Sequence, residues 1–215
     1  MEEIDNPFRK AGIVLLIIGI IDIGVMAYCI ANKISYSSSF NIFAVIVGAL
    51  LVKGSIKTAR VARWFSAFFV IAFISMFFLF PIIMPLQLLV TQIKLNPAVM
   101  LGSYAFSIIF IGVLIWLYKQ LSNPSALAKL EQAGYEIGKP KTALYAALGI
   151  IVLGGVIFGF LFNSESSEKA KALAKEKLGD NYKYHISSLN MSGNKGSAVV
   201  TAYNSSEIKN VSVSW

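Results

Sequence analysis

Residues 143–162 form an uninterrupted run of about twenty residues without a charged side chain, a length that matches the hydrocarbon core of a bilayer. A polar segment of about fifty residues follows this run and extends to Trp215. Apolar runs of comparable length occupy much of the preceding sequence. Charged residues make up 14% of the chain, whereas soluble domains carry about a quarter. The pattern predicts an integral membrane protein.

Five apolar segments are predicted to cross the membrane as helices, so that the fold class is an α-helical polytopic membrane protein. Their approximate bounds are residues 11–31, 35–56, 65–83, 98–118 and 143–162. The second is the shortest, because Lys53 interrupts it after about thirteen apolar residues. Pro81 and Pro85 lie at the end of the third run, where a helix should kink or end.

Residues 164–215 are predicted to form a small α+β domain outside the membrane, separate from a membrane domain of residues 1–163. Acidic residues near the start of its helix and basic residues near the end complement the helix dipole. Alternating apolar residues then indicate three antiparallel strands, at about 182–189, 197–203 and 208–215. In layout, this domain resembles the small helix-plus-sheet domains tethered to bacterial inner-membrane proteins, which implies a prokaryotic inner (plasma) membrane.

Lysine and arginine residues are distributed unevenly between alternate loops. The N-terminal segment, the loop after the second span and the connector before the fifth span carry ten of them, whereas the two intervening loops carry two. Short basic loops stay in the cytoplasm. Five spans therefore place the N-terminus in the cytoplasm and residues 164–215 outside it. Without the second span, five basic residues would lie on the outer side.

Asp22 is the only acidic residue inside an apolar run, near the middle of the first predicted span. An ionised carboxylate at this depth costs a few kcal/mol, so the side chain needs a partner, water or a proton. Two interpretations are open: an ion or proton site, and a hydrogen-bonded acid that fixes helix packing. Candidate partners are Lys53 and the hydroxyl groups of Ser75, Ser103 and Ser107.

Two further features are candidate sites. A basic cluster between the second and third predicted spans consists of Lys53, Lys57, Arg60 and Arg63. It is expected either to fix the topology or to bind anionic lipid. Gly155 and Gly159 form a G-x-x-x-G pattern in the last span, which lets two helices approach closely. The second helix can belong to the same chain or to another copy.

Catalytic and cofactor-binding motifs are absent from the sequence. It has one cysteine, Cys29, and one histidine, His185, and no G-x-S-x-G, H-E-x-x-H, Walker or C-x-x-C motif. We therefore predict a protein that is not an enzyme, with no catalytic residue, cofactor or metal site. Asn190, Asn204 and Asn210 match the glycosylation pattern, which matters only in a secretory pathway.

The expected partners are the lipid bilayer and either a protein partner or a second copy in a homo-oligomer. Nucleic acid is not expected, because the net charge of +8 forms no basic stripe interleaved with aromatic residues. The favoured hypothesis is a non-enzymatic membrane protein that displays an extracytoplasmic domain for protein–protein interaction or membrane-complex assembly. The alternatives are a small transporter or channel subunit that uses Asp22, and an unrecognised membrane enzyme.

Overall fold

The structure, a computed structural model, describes residues 6–36, 41–193 and 195–215. Within these residues the helices are α1 Arg9–Ala31, α2 Asn41–Val52, α3 Ile56–Ile83, α4 Leu86–Leu95, α5 Pro97–Gln120, α6 Pro124–Gln132, α7 Lys141–Phe162 and α8 Glu165–Leu178. The strands are β1 Lys183–Ser192, β2 Lys195–Tyr203 and β3 Ile208–Ser214. The chain divides into two compact units: unit 1 is Met1–Ile71 with Ile111–Ala146, and unit 2 is Ala72–Phe110 with Ala147–Trp215.

Four helices in the described part of the chain are long and apolar enough to cross a membrane: α1, Ile56–Phe80 within α3, α5 and α7. The predicted count of five is not confirmed. Helix α2 has 12 residues and is therefore about 18 Å long, whereas a bilayer core is about 30 Å thick. It ends at Val52 because the turn at Gly54 has a φ of 83°. Residues 37–40 of the predicted second span lie outside the described residues.

Helices α1 and α2 pack against each other within unit 1. Gly12 and Gly48 meet at the contact, where a Cβ atom on either glycine would lie 2.7–2.8 Å from the carbonyl oxygen of the other. Near this contact, Nδ2 of Asn6 donates to the carbonyl oxygens of Leu51 and Val52 at 3.0 and 2.9 Å. The first turn of α1 and the last turn of α2 therefore lie side by side.

The third apolar run breaks at the second of its two prolines, whereas the sequence predicted a kink or an end at both. Helix α3 continues through Pro81 and ends at Ile83, and Pro85 immediately precedes α4. A proline has no backbone N–H to donate, and it disfavours the helical conformation at the residue before it. At its other end α3 begins at Ile56, well before the predicted residue 65. Three residues of the basic cluster therefore lie on its first turns.

Helix α8 and the three strands confirm the predicted α+β layout of the C-terminal segment. Ser164 caps α8, since the backbone N–H of Ser167 donates to its Oγ at 3.2 Å, and Gly179 ends the helix with a φ of 81°. Strand β2 is central and pairs antiparallel with β1 and β3. The predicted domain boundary between residues 163 and 164 stays a prediction.

One face of the sheet packs against α8 around a small buried core. The core residues are Ala170, Ala174, Ile186, Ala198, Val200 and Val213. Trp215 packs against this core, and its backbone N–H and C=O pair with those of Gly196 at 2.9 and 2.8 Å. The indole ring lies so close to Gly196 that a Cβ atom there would overlap with it. Glycine at this position therefore lets the ring cover the central strand.

Candidate functional site

Helix ends from across the sequence meet in unit 1 around one buried apolar cluster. Its members are Phe8, Ala11, Leu51, Ala59, Ala62, Leu117, Leu121 and Ala126. They come from the start of α1, the end of α2, the start of α3, the end of α5 and helix α6. The three basic segments that sequence analysis assigns to one side of the membrane thus converge here. We call this region the basic end and define it as residues 6–12, 51–66 and 117–142.

Hydrogen bonds from Arg63 on α3 hold the connector between α6 and α7 against that helix. The residue is only 7% exposed, and its Nε donates to Oγ of Ser122 at 2.8 Å. Its Nη2 donates to the carbonyl oxygens of Ile137 at 3.0 Å and Gly138 at 2.9 Å. Because these bonds join distant parts of the sequence, Arg63 has a structural role within the basic end. The sequence alone indicated only a topology or lipid-binding role.

A cavity of about 590 Å³ opens between the start of α3 and the residues that lead into α7. Four cationic side chains line it: Arg60, Arg63, Lys139 and Lys141. Glu136 is the acidic residue among its lining residues. The cavity therefore has an excess of positive charge and can attract an anionic group.

Two contacts fix the walls of this cavity. Nε1 of the Trp64 indole donates to Oγ1 of Thr142 at 2.8 Å, which ties α3 to the first turn of α7. The Arg60 guanidinium lies 4.7 Å from the centre of the Tyr135 ring, a distance suited to a cation–π interaction. The cavity is thus held by side chains from both of its walls.

The structure separates the predicted basic cluster into two groups. Arg60 and Arg63 line the cavity, whereas Lys53 lies in the turn after α2 and Lys57 is exposed on α3. Sequence analysis did not identify Lys139 and Lys141 as site residues, although it counted them in the basic connector. The proximity of residues so far apart in sequence gives no local signal.

Asp22 accepts a hydrogen bond from the hydroxyl group of Tyr36 at Oδ1, and this hydroxyl also lies 3.3 Å from the Asp22 carbonyl oxygen. Tyr36 was not among the predicted partners. Two of the predicted partners, Ser103 and Ser107, donate to carbonyl oxygens of their own helix, at 2.8 and 2.9 Å. The bond from Tyr36 links Asp22 to the segment that follows α1. The packing interpretation and the ion or proton role both stay predictions.

Replacement of Tyr36 by phenylalanine should reduce the free energy of unfolding by about 1 kcal/mol, because a partly buried carboxyl group loses a hydrogen-bond donor. Asp22→Asn should cost less, since its amide oxygen can still accept the bond, whereas Asp22→Leu should cost about as much as Tyr36→Phe. Unfolding of the four variants, including Tyr36→Phe with Asp22→Leu, measures the coupling between the side chains. Strictly additive losses would contradict the pairing.

Loss of ion or proton flux in a stable Asp22→Asn protein would instead support transport.

Gly155 and Gly159 lie on an open part of α7. No heavy atom of the described chain, apart from the neighbouring residues and the backbone of α7 itself, lies within 4 Å of a Cβ atom built at either glycine. The close helix contact in unit 1 is formed by Gly12 and Gly48 instead. A packing role for the G-x-x-x-G pattern therefore stays a prediction.

The C-terminal strands and α4 are joined within unit 2. Oγ1 of Thr91, a residue of α4 that is 2% exposed, donates to the carbonyl oxygen of Asn204 at 2.8 Å. Asn204 lies in the turn between β2 and β3. At the other end of the same turn, the hydrogen bond from Tyr182 and the nearby Lys209 ammonium lower the pKa of the Glu207 carboxyl. The β2–β3 turn is thus anchored on two sides.

His185 on β1 lies with its ring centre 5.4 Å from that of Phe162. Burial, and secondarily the charge of Lys171, lower its pKa below the ordinary value. The unfolded state then binds more protons than the folded state, so stability should rise with pH up to about 6.5.

We therefore expect the midpoint temperature of the wild type to rise more between about pH 5 and pH 7 than that of His185→Gln. Because His185 is only half-buried, solvent screening keeps its contribution to the free energy of unfolding below about 1 kcal/mol. Thermal unfolding of both proteins at a series of pH values is the measurement. Parallel curves for the two would contradict the assignment.

In the described parts of the chain, no three His, Cys, Asp or Glu side chains lie close enough together to hold a metal ion. Compared with known proteins, the chain matches no family model, no curated protein and no solved structure. The class that its own residues define is a helical protein with membrane-spanning segments and a small C-terminal sheet.

Proposed function

We propose that this protein is a non-enzymatic membrane protein of a prokaryotic inner membrane, and that its C-terminal α+β domain binds a protein partner or helps to assemble a membrane complex. The observation that carries the proposal is the sheet face opposite α8, which we call the polar face. Strand alternation and register put Ser188, Asn190, Ser197, Ser212 and Ser214 on this face, with Val199 between Ser188 and Ser212. The five polar residues are exposed, and Val199 is partly exposed.

The chemistry of the polar face suits contact with a protein. Serine and asparagine side chains are short and adaptable in hydrogen bonding, so that they lose little conformational freedom on binding. Thr201 at the centre of the sheet is already ordered, because its Oγ1 donates to Oδ1 of Asn210 at 2.8 Å. A lipid surface would instead require a basic or apolar face.

The basic end supports an extracytoplasmic position for this domain. It gathers the predicted cytoplasmic segments in one place, and α7 begins there at Lys141. Helix α7 has 22 residues and a length of about 33 Å, which is sufficient to cross a bilayer core. With the basic end in the cytoplasm, residues 164–215 then follow on the opposite side.

A photo-crosslinking amino acid placed at Ser197 or Ser212 of the full chain tests the proposal in cells. Ala172 and Glu176 are matched controls, since both are exposed on α8. We expect one discrete adduct from the polar face and none from α8. A doubled mass would identify the partner as a second copy. No adduct from the polar face, or the same adducts from all four positions, would contradict the proposed function.

A further inference from the structure

We propose that the cavity at the basic end binds the phosphate group of an anionic phospholipid. In this proposal the phosphate lies among Arg60, Lys139 and Lys141, and the adjoining acyl chain lies along the apolar side chains of Val61 and Phe65. The inference is independent of the proposed function, because it concerns unit 1 and not the C-terminal domain.

The charges that line the cavity are suited to an anion. Arg60, Lys139 and Lys141 are exposed, and none forms an ion pair with a carboxylate elsewhere among the described residues. Arg63, in contrast, uses its side chain to hold the wall of the cavity. Three cations are thus available to a ligand, with Glu136 as the opposing charge.

The site is preformed, which reduces the cost of binding. The hydrogen bonds from Arg63 to two carbonyl oxygens fix residues 137–138. The hydrogen bond from Trp64 to Thr142 fixes the start of α7. The positive end of the α7 dipole also lies at this wall, since α7 begins at Lys141. A phosphate group would therefore meet a cavity wall whose backbone is already fixed on both sides of Lys139 and Lys141.

The apolar part of the cavity favours a lipid over free phosphate. Val61 is 51% exposed and Phe65 is 45% exposed, and both line the cavity on the same helix as Arg60. Trp64 lies between them in sequence and has the amphipathic ring that commonly settles at the headgroup level. A phospholipid can neutralise the cations and cover the apolar residues together, whereas inorganic phosphate can do only the first.

Tryptophan fluorescence of the full chain in vesicles tests the site directly. Trp116→Phe with Trp215→Phe leaves Trp64 as the single tryptophan. We expect brominated phosphatidylglycerol to quench Trp64 more strongly than brominated phosphatidylcholine at equal mole fraction. Arg60→Gln, Lys139→Gln and Lys141→Gln should each weaken this preference by about fivefold. Glu136→Gln should strengthen it.

A control variant distinguishes binding in the cavity from general attraction of anionic lipid to basic residues. Lys53→Gln, Lys57→Gln and Lys119→Gln together remove three cations of the basic end that do not line the cavity, and this variant should keep its preference. Equal quenching by the two lipids, or an equal loss in the control variant, would overturn the proposal. Displacement of the anionic lipid by millimolar inorganic phosphate would also overturn it, because the site would then bind free phosphate.

Discussion

Gly48→Ala should lower the free energy of unfolding by about 3 kcal/mol, a typical upper value for overpacking. The added Cβ atom would lie 2.8 Å from the carbonyl oxygen of Gly12 and 2.8 Å from the backbone nitrogen of Leu16. Both atoms belong to the backbone of α1, so the clash can be relieved only if the two helices separate. That separation would also strain the bonds from Asn6 to the end of α2.

Gly24→Ala is the matched control, because a Cβ atom at this position of α1 meets no heavy atom within 4 Å. Alanine is favoured over glycine in a helix interior by about 1 kcal/mol, so this control should be neutral or stabilising. Reversible unfolding of the full chain in mixed micelles gives both values. If Gly48→Ala is as stable as Gly24→Ala, the result would contradict a close contact between α1 and α2 at Gly48.

Arg63→Met should destabilise the basic end by about 3 kcal/mol or more, since the hydroxyl of Ser122 and the carbonyl oxygens of Ile137 and Gly138 lose a charged donor. Methionine fills much of the space but donates no hydrogen bond. Arg63→Lys should recover only part of the loss, because an ammonium group cannot reproduce the directions of a guanidinium.

Limited trypsin digestion gives a local readout of the same change. Trypsin can cleave after Lys141, at the end of the connector, whereas Pro140 blocks cleavage after Lys139. Release of the connector from α3 should therefore speed cleavage after Lys141. Lys57→Met is the control: Lys57 is exposed on α3 and does not line the cavity, so its replacement should change stability by less than about 1 kcal/mol. Unchanged stability and cleavage in Arg63→Met would show that Arg63 does not hold the connector.

The features that sequence analysis predicted well depend on neighbouring residues. Helix α8 forms where the charges at its two ends indicated a helix, Pro85 lies at the break after α3, and strand alternation located the three-stranded sheet. Caps, prolines and two-residue alternation act over a few residues, so their effects are visible in the sequence itself.

The features that it missed depend on contacts between distant residues. Arg63 lies 59 residues from Ser122 in sequence and 75 from Gly138. Gly12 and Gly48 belong to different helices and form no motif together. Hydrophobic periodicity does not identify such pairs, because it reports one segment at a time.

The central claim is that the basic segments lie on one side of the membrane and the C-terminal domain lies on the other. A membrane-impermeant maleimide tests it with single-cysteine variants in a Cys29→Ala background. In intact spheroplasts, we expect Ser212→Cys to react, and Lys53→Cys and Lys139→Cys to react only after permeabilisation. Reaction of Lys53→Cys together with Ser212→Cys in intact spheroplasts would contradict the account.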